Sequence, residues 1–287
     1  FVAKLDGKGV PVWIKRYGGA NADEGRGIAA ILEMVAMTRF DCTVGSSALM
    51  RQSIAQITHH CQSRHAFGKA LNQQPLMQNV LADLIIESEA STALSMRLAR
   101  SLDMSESDAQ EKHLVRMGTA ISKYWICKRT PGHAYEAMEC IGGSGVMEDS
   151  IMPRLFRESP INTIWEGSGN VQCLDMLRAL QKTPKTLDAF LHEIHLSENK
   201  HPLIPKVLSS LQKDFLNKEN LEYRSRSIVE KMALLFQAST LLQYGNDLIA
   251  EAFCTARLKN ENNGWVYGTL PANINCNAII ERATPVN

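Results

Sequence analysis

The sequence predicts a mainly α-helical protein, a four-helix bundle followed by a smaller C-terminal helical domain. From residue 24 onward apolar residues recur at helical spacing, and short polar turns separate the helical stretches. Hydrophobic residues make up 45% of the 287 positions and charged residues 21%, as is typical of folded globular proteins. We therefore expect three regions: a β-like remnant at 1–23, a helical bundle at 24–183 and a helical domain at 184–287.

Residues 1–23 carry a strand-like pattern. Val10, Val12 and Ile14 occupy alternate positions, and glycines at 7, 9, 18 and 19 surround them. One short strand cannot bury a core, so this segment is expected to be the trailing edge of a β-rich region. Because the sequence does not begin with Met, we expect a fragment or a processed chain.

Four helical stretches form the expected bundle. Ile28, Ile31 and Val35 begin the first at helical spacing. Pro75 suits the first turn of the second, where a missing N–H costs nothing. Pro131 lies inside the third and can kink a helix without ending it. The expected stretches are residues 27–62, 75–102, 105–140 and 167–180.

The segment that follows the bundle is expected to be a domain boundary. Residues 181–202 are polar and contain Pro184 and Pro202. Beyond them, the spacing predicts a shorter helix at 203–216 and a strong helix around 228–242. The tail from Asn260 has turn-forming composition and is expected to wrap over the surface.

Composition argues against several classes of protein. The 31 basic and 30 acidic residues leave a net charge of +1, so no bulk charge attracts nucleic acid. No uncharged apolar stretch reaches the roughly 18–20 residues of a membrane span. Seven cysteines without a CxxC pair favour an intracellular, cytoplasmic location over a disulfide framework. The histidines at 59, 60, 192 and 195 are not spaced to share an ion, so no metal site is expected.

Three short motifs could bind a phosphate, and each has an ordinary structural alternative. Ile141–Gly145 is a Gly-rich segment of the kind that ends many helices. Trp165–Asn170 puts a carboxylate and a Gly-Ser turn at the start of a helix, where free N–H groups favour anions. Arg64–Lys69 is either a solvated basic turn or a cationic site with an aromatic ring for stacking.

Taken in order, these motifs resemble the C-terminal half of the acyl-CoA dehydrogenase family. The resemblance covers about residues 24–180. The matching motifs are Arg-x-x-Phe-Gly-Lys at 64–69, Gly-Gly-x-Gly at 142–145, Leu-x-Arg-Glu at 155–158 and Trp-Glu-Gly-Ser at 165–168. It implies an FAD-dependent oxidoreductase that removes hydrogen from the α and β carbons of an acyl-CoA thioester.

Further segments are similar to the AidB-like branch of that family. They are Glu-Gly-Arg-Gly at 24–27, the variant Trp-Glu-Gly-Ser-Gly-Asn at 165–170, and the tail at 252–271. This branch has an added helical C-terminal domain, and some of its members bind DNA. With it, the resemblance extends over nearly the whole chain.

The resemblance assigns the catalytic base to Glu166. A few family members carry the base on the first long helix instead, just before an Arg. That position is Thr38 here, before Arg39, which leaves Glu166 as the candidate and places Arg39 in the substrate site. The chemistry needs a carboxylate in a dry site, because desolvation makes it more basic. The structural alternative is an ordinary carboxylate at a helix N-terminus.

The resemblance also assigns the FAD contacts. Arg64 and Phe67 match residues that reach the FAD of a neighbouring subunit, which implies a homo-oligomer, commonly a dimer of dimers. Gly142 and Gly143 match a close backbone approach to the same dinucleotide. The remaining two contacts are Ser168 and Asn170, where relatives more often have Thr and Gln.

The sequence departs from the family pattern in three ways. Two departures alter the expected FAD contacts, and the third concerns the whole site. Glu139 and Pro75 each stand where many relatives have a Gln. The family also has an N-terminal helical domain and a middle β-domain that covers the flavin, of which residues 1–23 are at most a scrap. Whether this chain alone turns over substrate therefore stays open.

Two other functions remain as alternatives. A duplex-DNA-binding protein of the AidB-like branch would use Arg178, which matches a position implicated in DNA contacts. Further basic residues follow at Arg224, Arg226, Lys231, Arg257 and Lys259. Because residues 181–287 carry nearly equal numbers of basic and acidic residues, an ordinary solvated face explains these cations as well. The other alternative is a non-catalytic structural remnant.

Overall fold

The structure is a computed structural model that describes residues 2–5, 11–15, 22–259 and 266–285, with side chains from residue 34 onward. Helices dominate this part of the chain, and two short 3-10 helices cover Leu71–Gln73 and Gly142–Val146. The strands are β1 (Val2–Leu5), β2 (Pro11–Lys15), β3 (His65–Ala66) and β4 (Lys69–Ala70). The helices are α1 (Ala22–Ser63), α2 (Pro75–Met104), α3 (Ala109–Ile141), α4 (Met152–Glu158), α5 (Ile161–Ile164), α6 (Gly169–Lys182), α7 (Lys185–His195), α8 (Leu203–Leu216), α9 (Leu221–Tyr244), α10 (Asp247–Arg257) and α11 (Cys276–Ala283).

Helices α1, α2, α3 and α6 form the four-helix bundle that the sequence predicts. Pro75 is the first residue of α2, and α3 continues through Pro131, as expected. Asp108 caps α3, since its side chain accepts hydrogen bonds from the backbone N–H groups of Gln110 and Glu111. The mainly helical fold class is confirmed.

The strand predicted near the N-terminus is present as β2. It pairs with β1 in an antiparallel hairpin in which Val2 lies opposite Lys15. Val10 and the glycines at 7, 9, 18 and 19 lie outside the described residues.

The segment 181–202, where the sequence predicts a domain boundary, contains helix α7, which the sequence patterns did not predict. Phe190 and Ile194 are fully buried and lie one helical turn apart. Polar neighbours masked this apolar face in the sequence. Pro184 and Pro202 are the N-cap residues of α7 and α8, so they begin helices instead of marking a linker.

The hydrophobic core runs without a break from the bundle into the C-terminal helices. Phe236 of α9 meets Phe190 of α7 edge to face, with ring centroids 5.8 Å apart. Gly118 lets α9 approach α3 closely, because a Cβ there would lie 3.0 Å from the Phe236 ring. The division at residue 183 stays a prediction from the sequence, and the core itself crosses it.

The described part of the tail mixes exposed and buried positions, and its buried side chains anchor it to the bundle. The buried Tyr267 ring lies 4.8 Å from the Arg129 guanidinium carbon. The backbone N–H of Gly268 donates to Asp83 Oδ2 at 2.9 Å. Helix α11 then packs against α2. Turn-forming residues indicated a loop but not what the loop would contact.

The prediction that Arg257 contacts DNA is also wrong. Arg257 is 3% exposed, and its guanidinium pairs with the carboxylates of Asp83 and Glu87. Burial alone would raise the pKa of Glu87, but Arg129 and Arg257 outweigh burial and lower it to about 2. Burial lowers the pKa of the adjacent His133 to about 4. This ionic network joins α2, α3 and α10 beneath the tail.

None of the helices in the described ranges is long and apolar enough to cross a membrane. Among the same residues, no three His, Cys, Asp or Glu side chains come together as metal ligands.

Candidate active site

Glu166 lies in a strained turn between α5 and α6. Its φ is +58° and that of Gly167 is +103°, so two successive residues depart from the usual backbone conformations. A Cβ on Gly167 would lie 2.7 Å from Val171 Cγ1 and 3.0 Å from Gln172 Nε2. The turn therefore requires Gly at 167 and constrains the residue before it.

Arg39 of α1 holds the backbone of this turn. Its Nε donates to the Glu166 backbone oxygen at 2.9 Å, and its Nη1 donates to Asp175 Oδ2 at 2.9 Å. Arg116 of α3 makes two further hydrogen bonds to the Asp175 carboxylate, at 2.8 and 2.9 Å. The structure thus places Arg39 against the backbone of Glu166, and its predicted contact with substrate stays a prediction.

Two more side chains hold the turn through its carbonyl groups. Lys123 of α3 is 2% exposed, and its Nζ donates to the backbone oxygens of Asn162 and Gly167, both at 3.0 Å. Gln172 of α6 is 1% exposed and donates its Nε2 to the Gly167 oxygen at 2.9 Å. Cations and amides from three helices therefore fix the backbone on both sides of Glu166.

The carboxylate of Glu166 is left available. The residue is half-buried, and its carboxylate takes part in no hydrogen bond or ion pair with the described residues. Its negative charge acts to raise the pKa of Lys123 and of the buried Cys42 thiol. Burial raises the pKa of that thiol, so Cys42 is a neutral neighbour at physiological pH.

Ser168 and Asn170 lie at the start of α6, directly after Glu166 and Gly167. Ser168 is the exposed N-cap, and its hydroxyl makes no capping hydrogen bond. Asn170 is exposed, and its Oδ1 accepts a hydrogen bond from Arg226 Nε of α9 at 2.9 Å. A free hydroxyl and the unpaired N–H groups of a helix N-terminus fit a phosphate of FAD. Arg226, predicted as a DNA contact, is thus a neighbour of this predicted cofactor site.

The other four predicted FAD residues lie where α1 and α3 end. Phe67 has a φ of +53° in the turn between β3 and β4 and is 97% exposed, and Arg64 beside it is exposed. Gly142 ends α3 with a φ of +72°, and a Cβ on it or on Gly143 would meet no atom within 4 Å. The exposed ring, the cation and the open glycine backbone fit part of a dinucleotide.

The six predicted FAD residues therefore form two groups on one chain. Arg39, which contacts the Glu166 turn, and Arg64 are 25 positions apart along α1, or about 35–40 Å at the helical rise. Burial raises the pKa of the Cys140 thiol, and the nearby Cys61 thiol acts in the same direction, so the C-terminal ends of α1 and α3 lie near each other. We call the groups the Glu166 turn (162–170) and the Phe67 loop (64–68 with Gly142 and Gly143).

Two of the remaining basic residues share an acidic partner. Arg178 and Lys259 are exposed. Arg224 donates to the Asn217 backbone oxygen at 2.6 Å and contacts Asp214, and Lys231 pairs with the same Asp214 at 2.5 Å. Asp214 offsets two of the positive charges on which the DNA alternative depends.

Sequence reasoning missed the residues that hold the Glu166 turn: Lys123, Gln172, Asp175 and Arg116. One signal was available for Lys123, because it lies in a largely apolar stretch of α3 that also contains Ile121, Tyr124, Trp125 and Ile126. A lysine at such a position needs polar partners inside the protein. Nothing in the sequence indicated which carbonyl groups those partners would be.

The bundle and the Glu166 turn together define a helical domain of the acyl-CoA dehydrogenase type. Residues 25–181 match the family model described as the acyl-CoA dehydrogenase C-terminal domain. The chain therefore belongs to the acyl-CoA dehydrogenase family.

Individual relatives agree with this assignment. The chain is 40% identical over 235 residues to AidB of Escherichia coli (strain K12), an alignment that covers 82% of this chain and 43% of AidB. A Caenorhabditis elegans ACDH-11 structure in complex with C11-CoA has a TM-score of 0.76 and 26% identity, covering 88% of this chain and 48% of that one. An acyl-CoA dehydrogenase from Bacillus anthracis complexed with FAD shares the fold, with a TM-score of 0.61, 17% identity and coverage of 80% and 48%. The chain spans less than half the length of each of these relatives.

Proposed function

We propose that the native protein carrying this chain is an FAD-dependent acyl-CoA dehydrogenase with Glu166 as its catalytic base. The observation that carries the proposal is the Glu166 turn itself, in which buried side chains hold the backbone while the carboxylate stays available. The C11-CoA complex of the Caenorhabditis elegans relative supports the choice of substrate class. The resemblance to the acyl-CoA dehydrogenase family implies FAD as the cofactor.

In the proposed reaction, Glu166 removes a proton from the carbon α to the thioester. The electron pair of that C–H bond forms a double bond to the β carbon, which loses hydride, so the product is the 2-enoyl thioester. FAD, when bound, supplies the acceptor for this hydride and the two electrons it carries. The protein binds and orients the thioester so that both C–H bonds can break together.

We further propose that the protein binds FAD between subunits. In one chain, the Glu166 turn and the Phe67 loop are about 35–40 Å apart along α1. The Phe67 ring is almost fully exposed, as expected of a side chain that reaches another molecule. The Phe67 loop of one subunit would contact the FAD that serves the Glu166 turn of a second subunit, which requires at least a dimer.

The test of the catalytic role is Glu166→Gln in the native protein. We expect bound FAD to be retained and acyl-CoA-dependent bleaching of the flavin absorbance to slow by roughly 10²–10⁴-fold, because an amide cannot take the α proton. Glu158→Gln, at an exposed position at the end of α4, is the matched control and should keep the full rate. Bleaching at the normal rate in Glu166→Gln would reject Glu166 as the base.

A further inference from the structure

Lys123 carries a buried ammonium group that backbone carbonyl groups hold in place. Its Nζ donates to the backbone oxygens of Asn162 and Gly167, both at 3.0 Å. Among the described residues, no Asp or Glu oxygen lies within ion-pair distance of it. A cation removed from water is costly unless it is well paired or hydrogen-bonded, so carbonyl groups alone carry the compensation here.

The two carbonyl groups flank the proposed catalytic base. Asn162 lies four residues before Glu166, and Gly167 follows it directly. One ammonium group therefore ties together both ends of the segment that carries the carboxylate. The ammonium group carries three N–H donors, so it can donate to two acceptors that point in different directions, and an apolar side chain of similar length cannot.

Burial works against the charge of Lys123. It lowers the pKa of the ammonium group, and the nearby Glu166 carboxylate acts in the opposite direction. Arg39 is the nearby cation that opposes it. The Lys123 nitrogen donates both of its observed hydrogen bonds to the Glu166 turn, and we call this arrangement the tether.

We propose that Lys123 is the positioning residue for Glu166, holding the turn in the left-handed conformation from which the carboxylate reaches the α proton. This inference deepens the proposed function and rests on it. Lys123 itself touches neither substrate nor flavin in this role. Its removal should loosen the turn and slow the chemical step while leaving substrate binding largely intact.

The test compares Lys123→Met with Lys112→Met. Methionine keeps the length and volume of the lysine stem but removes the ammonium, and Lys112 is an exposed lysine on the same helix. Amide hydrogen exchange in the chain reads the turn without any ligand. We expect exchange at residues 163–168 to accelerate about tenfold or more in Lys123→Met, with the core of α2 unchanged, and no acceleration in Lys112→Met.

The second readout is flavin reduction by acyl-CoA in the native protein, normalised to bound FAD. Lys123→Met should lower kcat by roughly 10–100-fold, with KM changed by no more than about threefold, since a misplaced base slows the chemistry and not binding. Lys112→Met should match the unmutated protein in both.

The outcomes separate the two proposals. Unchanged exchange at 163–168 in a folded Lys123→Met variant overturns the tether. Faster exchange with unchanged kcat, or with a change confined to KM, overturns its positioning role. If the unmutated protein binds FAD but no acyl-CoA bleaches it, the proposed function fails, whereas faster exchange in the variant still supports the tether.

A measurement on the unmutated chain covers the case in which Lys123→Met does not fold. A buried ammonium held by two carbonyl oxygens should exchange its protons with water slowly enough for its Nζ–H signal to be observed by NMR at neutral pH. The exposed Lys112 should show no such signal. An Nζ signal of Lys123 that exchanges as fast as that of Lys112 overturns the proposal.

Discussion

The Glu166 turn and the Phe67 loop share a backbone feature and differ in almost everything that surrounds it. In each, a non-glycine residue has a φ between +50° and +60°, and the glycine that follows it also has a positive φ. The buried Lys123, the half-buried Arg39 and the amide of Gln172 hold the carbonyl groups of the Glu166 turn. The Phe67 ring is 97% exposed, and a Cβ on the following Gly68 would meet no atom within 4 Å.

The difference shows that the same local conformation serves two purposes. In the Glu166 turn, the interior of the protein fixes the backbone so that one carboxylate stays in place. In the Phe67 loop, hydrogen bonds from residues close in the sequence hold the backbone. One example is the hydrogen bond from Gln74 Nε2 to the Ala66 oxygen at 2.9 Å. The first arrangement suits chemistry within the chain, and the second suits contact with another molecule.

The largest expected effect on stability comes from adding a methyl group at Gly167, and Gly68 provides the comparison. Gly167→Ala should lower the free energy of unfolding by about 2–4 kcal/mol, because the backbone is unfavourable for alanine and Val171 Cγ1 lies 2.7 Å from the new Cβ. Gly68→Ala has the same kind of backbone but open space, so a loss of about 1 kcal/mol is expected. Urea unfolding of both variants checks this. Equal losses would show that the two turns are constrained alike.

A smaller effect on stability is expected from a substitution of Asp175, the acidic residue that pairs with Arg39 next to the Glu166 turn. Asp175→Asn removes the charge that Arg39 and Arg116 share and should cost about 2 kcal/mol, since a partly buried arginine loses its counter-ion. The control is Glu148→Gln near the Phe67 loop, where an exposed ion pair with Arg157 is solvated and its loss should be undetectable in urea unfolding. A measurable loss in the control, or none in Asp175→Asn, would contradict the contrast.

The smallest effect on stability is expected in the Phe67 loop itself. Arg64→Ala should leave the free energy of unfolding within about 0.5 kcal/mol of the unmutated chain, because the residue is exposed. It should nevertheless weaken FAD retention by the native oligomer, measured as flavin content after gel filtration. Undiminished flavin content would contradict its proposed role.

Subunit mixing sharpens the same prediction. Arg64→Ala and Glu166→Gln should each be defective alone. In a mixed oligomer, a site that combines the intact Glu166 turn of one subunit with the intact Phe67 loop of the other should recover activity. No recovery in verified mixed oligomers would place both groups at the same subunit's FAD.

Local sequence patterns were sufficient for the fold class, the bundle helices and the motif positions. Spacing of apolar residues and the Pro and Gly signals depend on near neighbours, so they can be read from the chain directly. Helix α7 was missed because two buried side chains, Phe190 and Ile194, are outnumbered by polar neighbours. Arg257 was misjudged because its partners, Asp83 and Glu87, are about 170 positions away in the sequence.

The sequence by itself determined the helical bundle, the family resemblance and the candidacy of Glu166. Only the tertiary structure decided that Lys123, Arg39 and Gln172 converge on one turn, and that the predicted FAD residues form two separate groups. The physical reason is that helix formation is settled within a few turns of the chain. The partner of a buried charge is chosen by which helices pack side by side, and this depends on the whole core.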